Sequence, residues 1–420
     1  MATTIVTEGD KVIIKLFDGV IPPILGTSIG PQVIVVPKEM QKEYAGVAAD
    51  VFENKTIQFP LEMPGGADVV ENSDDWGIGA LGLLAEGFWE RGFKGKDVRI
   101  GIADSGLDSS LATFSSLRSD RRLLAFAAFN ADGSKQWQHN PDPDGSTITD
   151  ISAVPSATHW HGTFCAALLV GENDGMLRGM APAAYPSVTE VLQTGNVGTV
   201  ASISAGLQWL RSQKPDIASL SLGWPGKHEE WADDIEGLIE DGVVVVAAIG
   251  NEWGIPGEQP SRSPANYPID FTDTKKGILI SVGAHDQANK VADFSGGEVA
   301  NWQDVVVSAP DGTKRPSKFA SAPPKVVPAI VAPGVDIIEP VAPNRYESQS
   351  GSSMATPHIA GLLALVLSAL RSKNQGASAR NAAELLLECV IPLAAPADIR
   401  MRRGRVDPNL LLAKVDAALN

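Results

Sequence analysis

Short runs of apolar, often β-branched residues recur through most of this chain, and they constrain its fold more than any other feature. The clearest runs occupy residues 98–103, 217–222, 243–248, 278–282 and 329–332. Stretches with helical spacing lie between them, as at 202–212 and 229–241. Such short apolar runs are typical of strands buried on both faces, which occur in parallel sheets covered by helices. The sequence therefore predicts an α/β protein with a central parallel sheet flanked by helices.

The first 73 residues have a different pattern. Residues 11–17 and 32–36 have the composition of strands, and Gly- and Pro-rich turns separate them. A polar connector follows, and the alternating β and α pattern begins after it at Trp76. We expect a small strand-rich region over residues 1–73 and one large domain over residues 74–420. Residues 109–158 and 307–325 are expected to be surface insertions of this domain.

Charge and cysteine content exclude several classes of function. The net charge of −16 argues against binding to nucleic acid or to an anionic membrane. Two cysteines, Cys165 and Cys389, do not make a disulfide framework. The first residues lack a basic start and an apolar run, and no apolar run reaches the roughly 18 residues of a membrane span. We expect a cytoplasmic protein and leave its oligomeric state open.

Polar residues with catalytic potential lie at the ends of four predicted elements. They are Asp104 after the first buried run, His161 at the start of a helix, Asn251 after the run 243–248, and Ser353 at a turn before the apolar helix 362–370. Pro357 is expected near the first turn of that helix, where its missing N–H costs little. The start of the helix also offers backbone N–H groups to an anion. Each motif alone is common in proteins without catalytic function.

Taken in order, these motifs resemble the subtilisin-like serine protease family, the subtilases. The resemblance lies in the chain order Asp, His, Ser and in the motifs 104–106 (Asp-Ser-Gly), 161–163 (His-Gly-Thr) and 351–358 (Gly-Ser-Ser-Met-Ala-Thr-Pro-His). The family usually has Thr at the position of Ser352. Matching segments at 76–78, 179–182, 332–334 and 404–407 extend the resemblance over residues 74–420. It implies a three-layer subtilisin-like fold and a serine endopeptidase that acts on proteins or peptides.

The resemblance also implies the role of each catalytic residue. Ser353 would attack the peptide carbonyl, while His161 takes its proton and later returns it to the leaving amine. Asp104 would hold the imidazole in the right tautomer. The side chain of Asn251 and the backbone N–H of Ser353 would bind the oxyanion.

Substrate-binding segments follow from the same resemblance. Two of them would form the walls of the S1 pocket, which takes the residue P1 that donates the attacked carbonyl, and a third would pair with P2 to P4. They contain Ser221, Leu222 and Gly223 on one wall, Ala248 and Gly250 on the other, and Asn196 and Gly198 on the pairing segment. The alternative is that these segments are simply buried strands. With Ala265 and Tyr267 near the floor, the pocket is expected to favour large apolar residues, although acidic residues between 104 and 161 could favour basic ones.

No cofactor is expected to be required, and no metal ligand is assigned. Family members often bind structural calcium, for which the loop 171–175 and the pair Asp142 and Asp144 are weak candidates. Some members also have a cysteine at the position of Cys165, four residues after His161. We expect this thiol to be a buried packing residue.

Two questions stay open at the level of sequence. Residues 1–73 have the size of a subtilase propeptide, which fills the cleft and is then cut away, but they could equally be a permanent accessory domain. Self-cleavage is expected between Gly65 and Asp75 in the first case. The chain could also be an inactive peptide-binding scaffold on the same fold. An esterase is disfavoured, because the Gly-x-Ser-x-Gly motif of α/β-hydrolases is not what surrounds Ser353.

Overall fold

The computed structural model describes most of the chain. The described residues are 11–16, 27–30, 33–44, 48–58, 63–64, 76–81, 87–139, 157, 159–172, 179–193, 196–269, 275–308, 313–343, 345–393, 398–401 and 403–420. The expected cleavage region 65–75 and the calcium candidates Asp142 and Asp144 lie outside these residues, as does most of the loop 171–175.

An antiparallel sheet forms most of the described N-terminal region. Its strands are β1 (Lys11–Leu16), β2 (Thr27–Gly30), β3 (Val33–Pro37) and β4 (Ala48–Glu53), in the spatial order β2-β3-β1-β4. A 3₁₀ segment, Lys38–Tyr44, follows β3. Two short strands, β5 (Thr56–Gln58) and β6 (Met63–Pro64), come next and belong to other sheets. The strand-rich character expected for residues 1–73 is thus present in their described part.

The large domain is built on an eight-stranded sheet. Its strands are β7 (Arg99–Asp104), β8 (Ala125–Phe129), β9 (Lys135–His139), β10 (Tyr185–Glu190), β13 (Ile217–Leu220), β15 (Val244–Ala248), β17 (Leu279–His285) and β22 (Ile330–Pro333). The short strands between them in the chain belong to other, smaller sheets. They are β11 (Leu192–Gln193), β12 (Val197–Thr199), β14 (Trp224–Pro225), β16 (Arg262–Ser263), β18 (Glu298–Ala300), β19 (Val306–Ser308), β20 (Lys314–Pro316) and β21 (Lys325–Val327). The spatial order is β22-β17-β15-β13-β7-β10-β8-β9. All neighbours are parallel except β8 and β9.

Helices cover both faces of this sheet and complete three layers. They are α1 (Trp76–Ala80), α2 (Ser115–Ser119), α3 (Trp160–Val170), α4 (Val200–Ser212), α5 (Ala232–Glu240), α6 (Ser352–Lys373), α7 (Ala379–Leu387) and α8 (Pro408–Leu419). The remaining strands are β23 (Ile337–Ala342), β24 (Arg345–Ser350), β25 (Val390–Ile391) and β26 (Arg405–Val406), with 3₁₀ turns at Ala112–Phe114 and Ile399–Met401. Helices α3, α6 and α7 pack on one face, whereas α4 and α5 pack on the other.

The N-terminal sheet packs against the second of these faces. Alternate residues of its strands point to opposite sides, as strand geometry requires. Ile13, Val35 and Phe52 join the hydrophobic cluster of α4 and α5. Val12 and Ile14 face the other way, into a small core of the N-terminal sheet itself. The N-terminal region is therefore joined to the large domain through an apolar face.

Most predicted elements are confirmed, with informative exceptions. The five apolar runs are strands β7, β13, β15, β17 and β22. Residues 109–158 do not form only a surface insertion, because β8 and the antiparallel edge strand β9 extend the central sheet. Strand β8 is a short apolar run (AFAAF) that lies inside the expected insertion, and β9 (KQWQH) is mainly polar, so its sequence does not resemble that of a buried core strand. Helix α6 begins ten residues before the predicted helix 362–370, because small and polar residues form its first turns.

Helix α6 has the length and composition of a membrane-spanning segment. Its apolar window is almost wholly buried inside the protein, where it contacts α3, α7 and four strands of the central sheet. The apolar composition of α6 is therefore explained by its position in the core.

Leu363 of α6 offers a test of this core position. Leu363→Ala is expected to lower the free energy of unfolding by about 2–5 kcal/mol, because the buried side chain leaves a cavity. The matched change Leu410→Ala, at a leucine of α8 that is 40% exposed, should stay within about 0.5 kcal/mol of the parent. Urea unfolding in a Ser353→Ala background, which removes the expected self-digestion, measures both. Equal losses for the two variants would contradict the packing described for α6.

Candidate active site

Asp104 and His161 form a buried pair at the carboxyl end of the sheet. Asp104 is the last residue of β7, and His161 lies in the first turn of α3. The ring Nδ1 donates to Asp104 Oδ1 over 2.7 Å, and the same oxygen accepts from the backbone N–H of Ser105. Both side chains are at most 1% exposed. The carboxylate thereby selects the imidazole tautomer whose lone pair lies on Nε2.

Small residues allow the two motifs to approach this closely. Gly106 has a φ of +92°, which a residue with a side chain rarely adopts. A Cβ on Gly162 would lie 2.4 Å from the carbonyl oxygen of Gly106. Ser105 joins the segments, because its Oγ accepts from the Gly162 N–H and donates to the His159 carbonyl. The Asp-Ser-Gly turn and the His-Gly-Thr helix start therefore form one unit.

The charge state of His161 is set by opposing effects. Burial lowers its pKa, but the Asp104 carboxylate and its hydrogen bond favour the imidazolium, and the pKa lies well above the ordinary 6.5. Neighbouring His159 behaves differently, because burial and the charge of His161 lower its pKa. His159 accepts from the backbone N–H of His161 and caps α3. The role of His159 in this contact is structural, at the start of α3.

Ser353 lies in the first turn of α6, beside the end of β13. Pro357 is the sixth residue of this helix and not part of its first turn as expected, so its missing N–H removes the bond that would reach the Ser353 carbonyl. That carbonyl instead accepts from Ser221 Oγ at 2.8 Å and from Cys165 Sγ at 3.7 Å. Ser353 Oγ in turn lies 3.3 Å from the Ser221 carbonyl oxygen.

Cys165 connects the serine with the histidine. Its sulfur lies 4.0 Å from His161 Nδ1 and contacts the Ser353 carbonyl. Burial raises the pKa of the Cys165 thiol, which disfavours the reactive thiolate. The buried position agrees with the packing role expected from the sequence.

Asn251 is held in one orientation by Ser352. The backbone N–H of Ser352 donates to Asn251 Oδ1 at 2.8 Å, and the Ser352 hydroxyl lies 3.0 Å from the same oxygen. A backbone N–H requires an acceptor opposite it, so this atom is the oxygen of the amide. The Ser352 hydroxyl also accepts from the Gly250 N–H at 3.0 Å. Serine at this position, where the family usually has Thr, thus retains the hydroxyl that joins Gly250 to Asn251.

The two segments expected to form the walls of the S1 pocket contact the start of α6, Ser221 at Ser353 and Gly250 at Ser352. Ser221, Leu222 and Gly223 directly follow β13, while Ala248 ends β15 and precedes Gly250 by two residues. All five are buried. Gly250 has a φ of +109°. The two segments are neighbours because β13 and β15 pair in parallel.

The two residues expected near the floor of that pocket both lie in the hydrophobic cluster of α4 and α5. Tyr267 donates its hydroxyl to the His228 carbonyl, and its ring packs edge-on against Trp302 and tilted against Phe319. Ala265 is fully buried nearby in the same hydrophobic cluster. A charged pair, Glu252 and Arg262, lies next to both wall segments. Sequence reasoning missed it, although Glu252 directly follows Asn251 and could have been singled out.

The segment expected to pair with substrate is already paired with the N-terminal region. Asn196, with a φ of 58°, forms the turn that leads into β12. Gly198 of β12 lies opposite Ile57 of β5 in an antiparallel ladder, and Leu192 of β11 lies on its other side. Ser350, three residues before Ser353 in the chain, pairs with Met63 of β6. Residues 59–62, which join the two strands, lie outside the described part of the chain.

Possible metal ligands converge at the same place. Among the described residues, Asp104, His161 and Cys165 form a group of acidic, His and Cys side chains whose ligand atoms lie within 4.8 Å of one another. These are the residues of the buried pair and its neighbouring thiol, and two of them already contact each other. They do not form an oxygen-rich cage of the kind that calcium prefers.

Comparison with known proteins agrees with this geometry. The family model of the subtilases matches residues 95–390. Subtilisin NAT of Bacillus subtilis subsp. natto is 28% identical over 339 residues, which are 79% of this chain and 72% of the relative. The subtilisin of Bacillus pumilus is 29% identical over 287 residues, 68% and 82% of the two chains. The major intracellular serine protease of Bacillus subtilis (strain 168) is 26% identical over 317 residues, 75% and 78%.

The matching family model and these relatives, together with the three-layer fold, define a serine-type endopeptidase. The chain belongs to the subtilase family. Its substrates are accordingly proteins or peptides.

The raised pKa of His161 generates a prediction for NMR. In a Ser353→Ala background, the imidazole of His161 should remain protonated to a higher pH than an ordinary histidine, and Asp104→Asn should lower its pKa because the charge that opposes the effect of burial is then lost. His228, whose pKa burial lowers to about 4, is the internal control and should stay neutral over the same range. Proton–nitrogen spectra of the ring nitrogens recorded across pH measure both.

The sign of the linked stability change follows from the same shift. A histidine with a raised folded-state pKa contributes stability that is complete below its unfolded value of about 6.5 and is lost as pH rises through the folded value. A His161 pKa that Asp104→Asn leaves unchanged would contradict the pairing described above.

Proposed function

We propose that this chain hydrolyses peptide bonds with Ser353 as nucleophile, His161 as general base and then acid, and Asp104 as the residue that orients His161. The observation that carries the proposal is the hydrogen bond of 2.7 Å between Asp104 and His161 Nδ1. It leaves the lone pair on Nε2, which is the nitrogen that accepts the hydroxyl proton of Ser353 during attack.

The steps follow from these roles. Ser353 Oγ bonds to the substrate carbonyl carbon, its proton moves to His161, and the carbonyl oxygen becomes an oxyanion. The C–N bond then breaks, and His161 returns the proton to the departing amine. Water, deprotonated by His161, releases the acyl group from Ser353 in the same manner. Asp104 stabilises the imidazolium in both halves of the reaction, which agrees with the raised pKa of His161.

Asn251 and the start of α6 are proposed to form the oxyanion hole. Because Ser352 holds Oδ1 of Asn251, the amide NH₂ group is the end of this side chain that is directed to the oxyanion. The backbone N–H of Ser353, at the positive end of a 22-residue helix, is the second donor. Both donors are fixed before the charge develops, which is what makes such groups effective in catalysis.

Extended polypeptide is the proposed substrate. Ser221, Leu222 and Gly223, together with Ala248 and Gly250, are assigned to the two walls of the S1 pocket, and Asn196 and Gly198 to the segment that pairs with P2 to P4. The ladder between β5 and β12 supports this assignment, because it demonstrates that β12 accepts a further antiparallel strand. Action inside the cell is also proposed, in line with the intracellular relative.

Loss of the nucleophile and loss of the oxyanion donor should have different signatures. Ser353→Ala should abolish covalent labelling by a fluorophosphonate probe and all peptide cleavage. Asn251→Ala should retain labelling but lower kcat by about 10²–10³, or about 2.7–4 kcal/mol in the barrier, on a scale that comes from a subtilisin. Kinetics on a quenched fluorogenic peptide measure the second effect.

Labelling also distinguishes an active enzyme from an inactive peptide-binding scaffold on the same fold. If the wild-type chain shows no labelling that depends on Ser353, even after removal of the N-terminal region, the fold serves as an inactive peptide-binding scaffold. All four proposed catalytic side chains are present in this chain, which favours the enzyme.

Residues 1–73 are proposed to be a propeptide-like region and not a permanent accessory domain. The support is the position of its two last described strands, β5 on the segment assigned to P2 to P4 and β6 beside Ser350. A domain that recruits partners has no need to pair both with the segment assigned to substrate and with the strand that leads to Ser353. Ion pairs add to the contact, with Lys15 bound to Asp233 at 2.8 Å.

Self-processing tests this proposal. The wild-type chain should lose its N-terminal region after a cut at 65–75, whereas Ser353→Ala should stay full length, and intact-mass measurement distinguishes the two. A cut at 59–62 would mean that the cleaved bond lies in the segment that joins β5 to β6, and not in the connector at 65–75. An active wild type that stays full length would exclude the propeptide role.

A further inference from the structure

A buried ion pair directly behind Asn251 has no part in the proposed mechanism. Glu252 is 3% exposed and Arg262 is 1% exposed. Arg262 Nε lies 3.0 and 3.1 Å from the two carboxylate oxygens of Glu252, and its Nη2 also donates to Glu252 Oε1. The carboxylate accepts in addition from the Asn251 N–H at 2.9 Å. The charge of Arg262 is thus neutralised by a partner that is itself fixed to the proposed oxyanion hole.

The aliphatic stem of Arg262 contacts both proposed walls of the S1 pocket. A Cβ on Gly223 would lie 2.9 Å from Arg262 Cβ and 3.3 Å from its Cδ. A Cβ on Gly250, on the opposite wall, would lie 2.7 Å from Arg262 Cγ and 3.1 Å from the same Cδ. The backbone of Arg262 is held as well, since its N–H donates to the Ile249 carbonyl at 2.9 Å. The methylenes of Arg262 therefore occupy the slot between the two glycines.

We infer that Arg262, held by Glu252, fills the S1 slot and restricts cleavage to peptide bonds that follow a small residue such as Gly, Ala or Ser. The inference rests on the proposed function and names its substrate class. Large apolar residues at P1, which the small walls alone would favour, require the volume that the Arg262 stem already occupies.

An acidic P1 residue is excluded by the same pair. Nε and Nη2 of Arg262 already donate to Glu252, so an acidic P1 side chain could reach only the remaining N–H groups and would lie close to the like charge of that carboxylate. A basic P1 residue could reach Glu252 only by displacing Arg262, and the displaced guanidinium would then be buried without a carboxylate partner. The ion pair thus holds the arginine in the slot and does not serve as a charge-recognition site.

Cleavage profiles of the full wild-type chain test the inference. The probes are quenched peptides that differ only at P1, with Ala, Leu, Phe, Glu or Lys, and Ser353→Ala is the blank. We expect kcat/KM to be at least tenfold higher for Ala than for each of the others. Equal or better cleavage after Leu or Phe would overturn the filled slot, and a preference for Glu would show that Arg262 binds P1 by charge.

A pair of double variants isolates the volume of Arg262. Arg262→Ala with Glu252→Gln removes both charges together and keeps an acceptor for the Asn251 N–H, so no buried charge remains alone. This variant should raise kcat/KM for Leu and Phe at least tenfold relative to Ala. The matched control, Arg262→Met with Glu252→Gln, is equally uncharged but keeps a long side chain, and it should retain the preference for Ala. Identical profiles for the two variants would overturn the inference.

Fluorophosphonate labelling of each variant confirms that its site is assembled. The failure of the inference is distinguishable from the failure of the proposed function. Cleavage after large residues that depends on Ser353 refutes only the filled slot. If no peptide is cleaved in a manner that depends on Ser353, the proposed function falls and the inference falls with it.

Discussion

The buried hydrogen bond between Asp104 and His161 is the contact around which the rest of the site is arranged. Removing a carboxylate from water is costly, and here the imidazole and the Ser105 N–H both donate to Oδ1 of Asp104, which offsets part of that cost. The close approach requires a strand end, a left-handed Gly106 and a side-chain-free Gly162 at the helix start. These features come from two segments more than fifty residues apart, and the central sheet is what brings them together.

The serine side of the site depends on an interruption in α6. Pro357 cannot donate to the Ser353 carbonyl, so this carbonyl is available to Ser221 and Cys165, which belong to the neighbouring strand end and to α3. The start of α6 is thereby tied to the elements that carry the other proposed catalytic groups. Ser352 makes the corresponding connection to Asn251 through its backbone N–H and hydroxyl. Two adjacent serines thus have separate tasks, one of positioning and one of proposed chemistry.

Much of the fold could be predicted from the sequence, because buried parallel strands leave continuous apolar runs and motifs mark where those runs end. The strands β7, β13, β15, β17 and β22 lie within a few residues of their predicted positions for this reason. Long-range pairing leaves no such local signal. Neither the ladder between Ile57 and Gly198 nor the pairing of Arg262 with Glu252 could be read from spacing, since each joins segments by tertiary contact. Pro357 was placed one turn too early because the polar first turns of α6 conceal where the helix begins.

Occupation of β12 by β5 has a consequence for how activity could begin. An external peptide must compete with a strand of the same chain, whose effective concentration is high for as long as the connection is intact. Cutting the connection alone removes this advantage but not the packing of Ile13, Val35 and Phe52 on the helices of the large domain. The ion pair of Lys15 with Asp233 adds less, because Asp233 is half exposed, and such pairs contribute on the order of 0–1 kcal/mol. The apolar face therefore sets how long the N-terminal sheet stays bound after cleavage, and high salt should do little to release it.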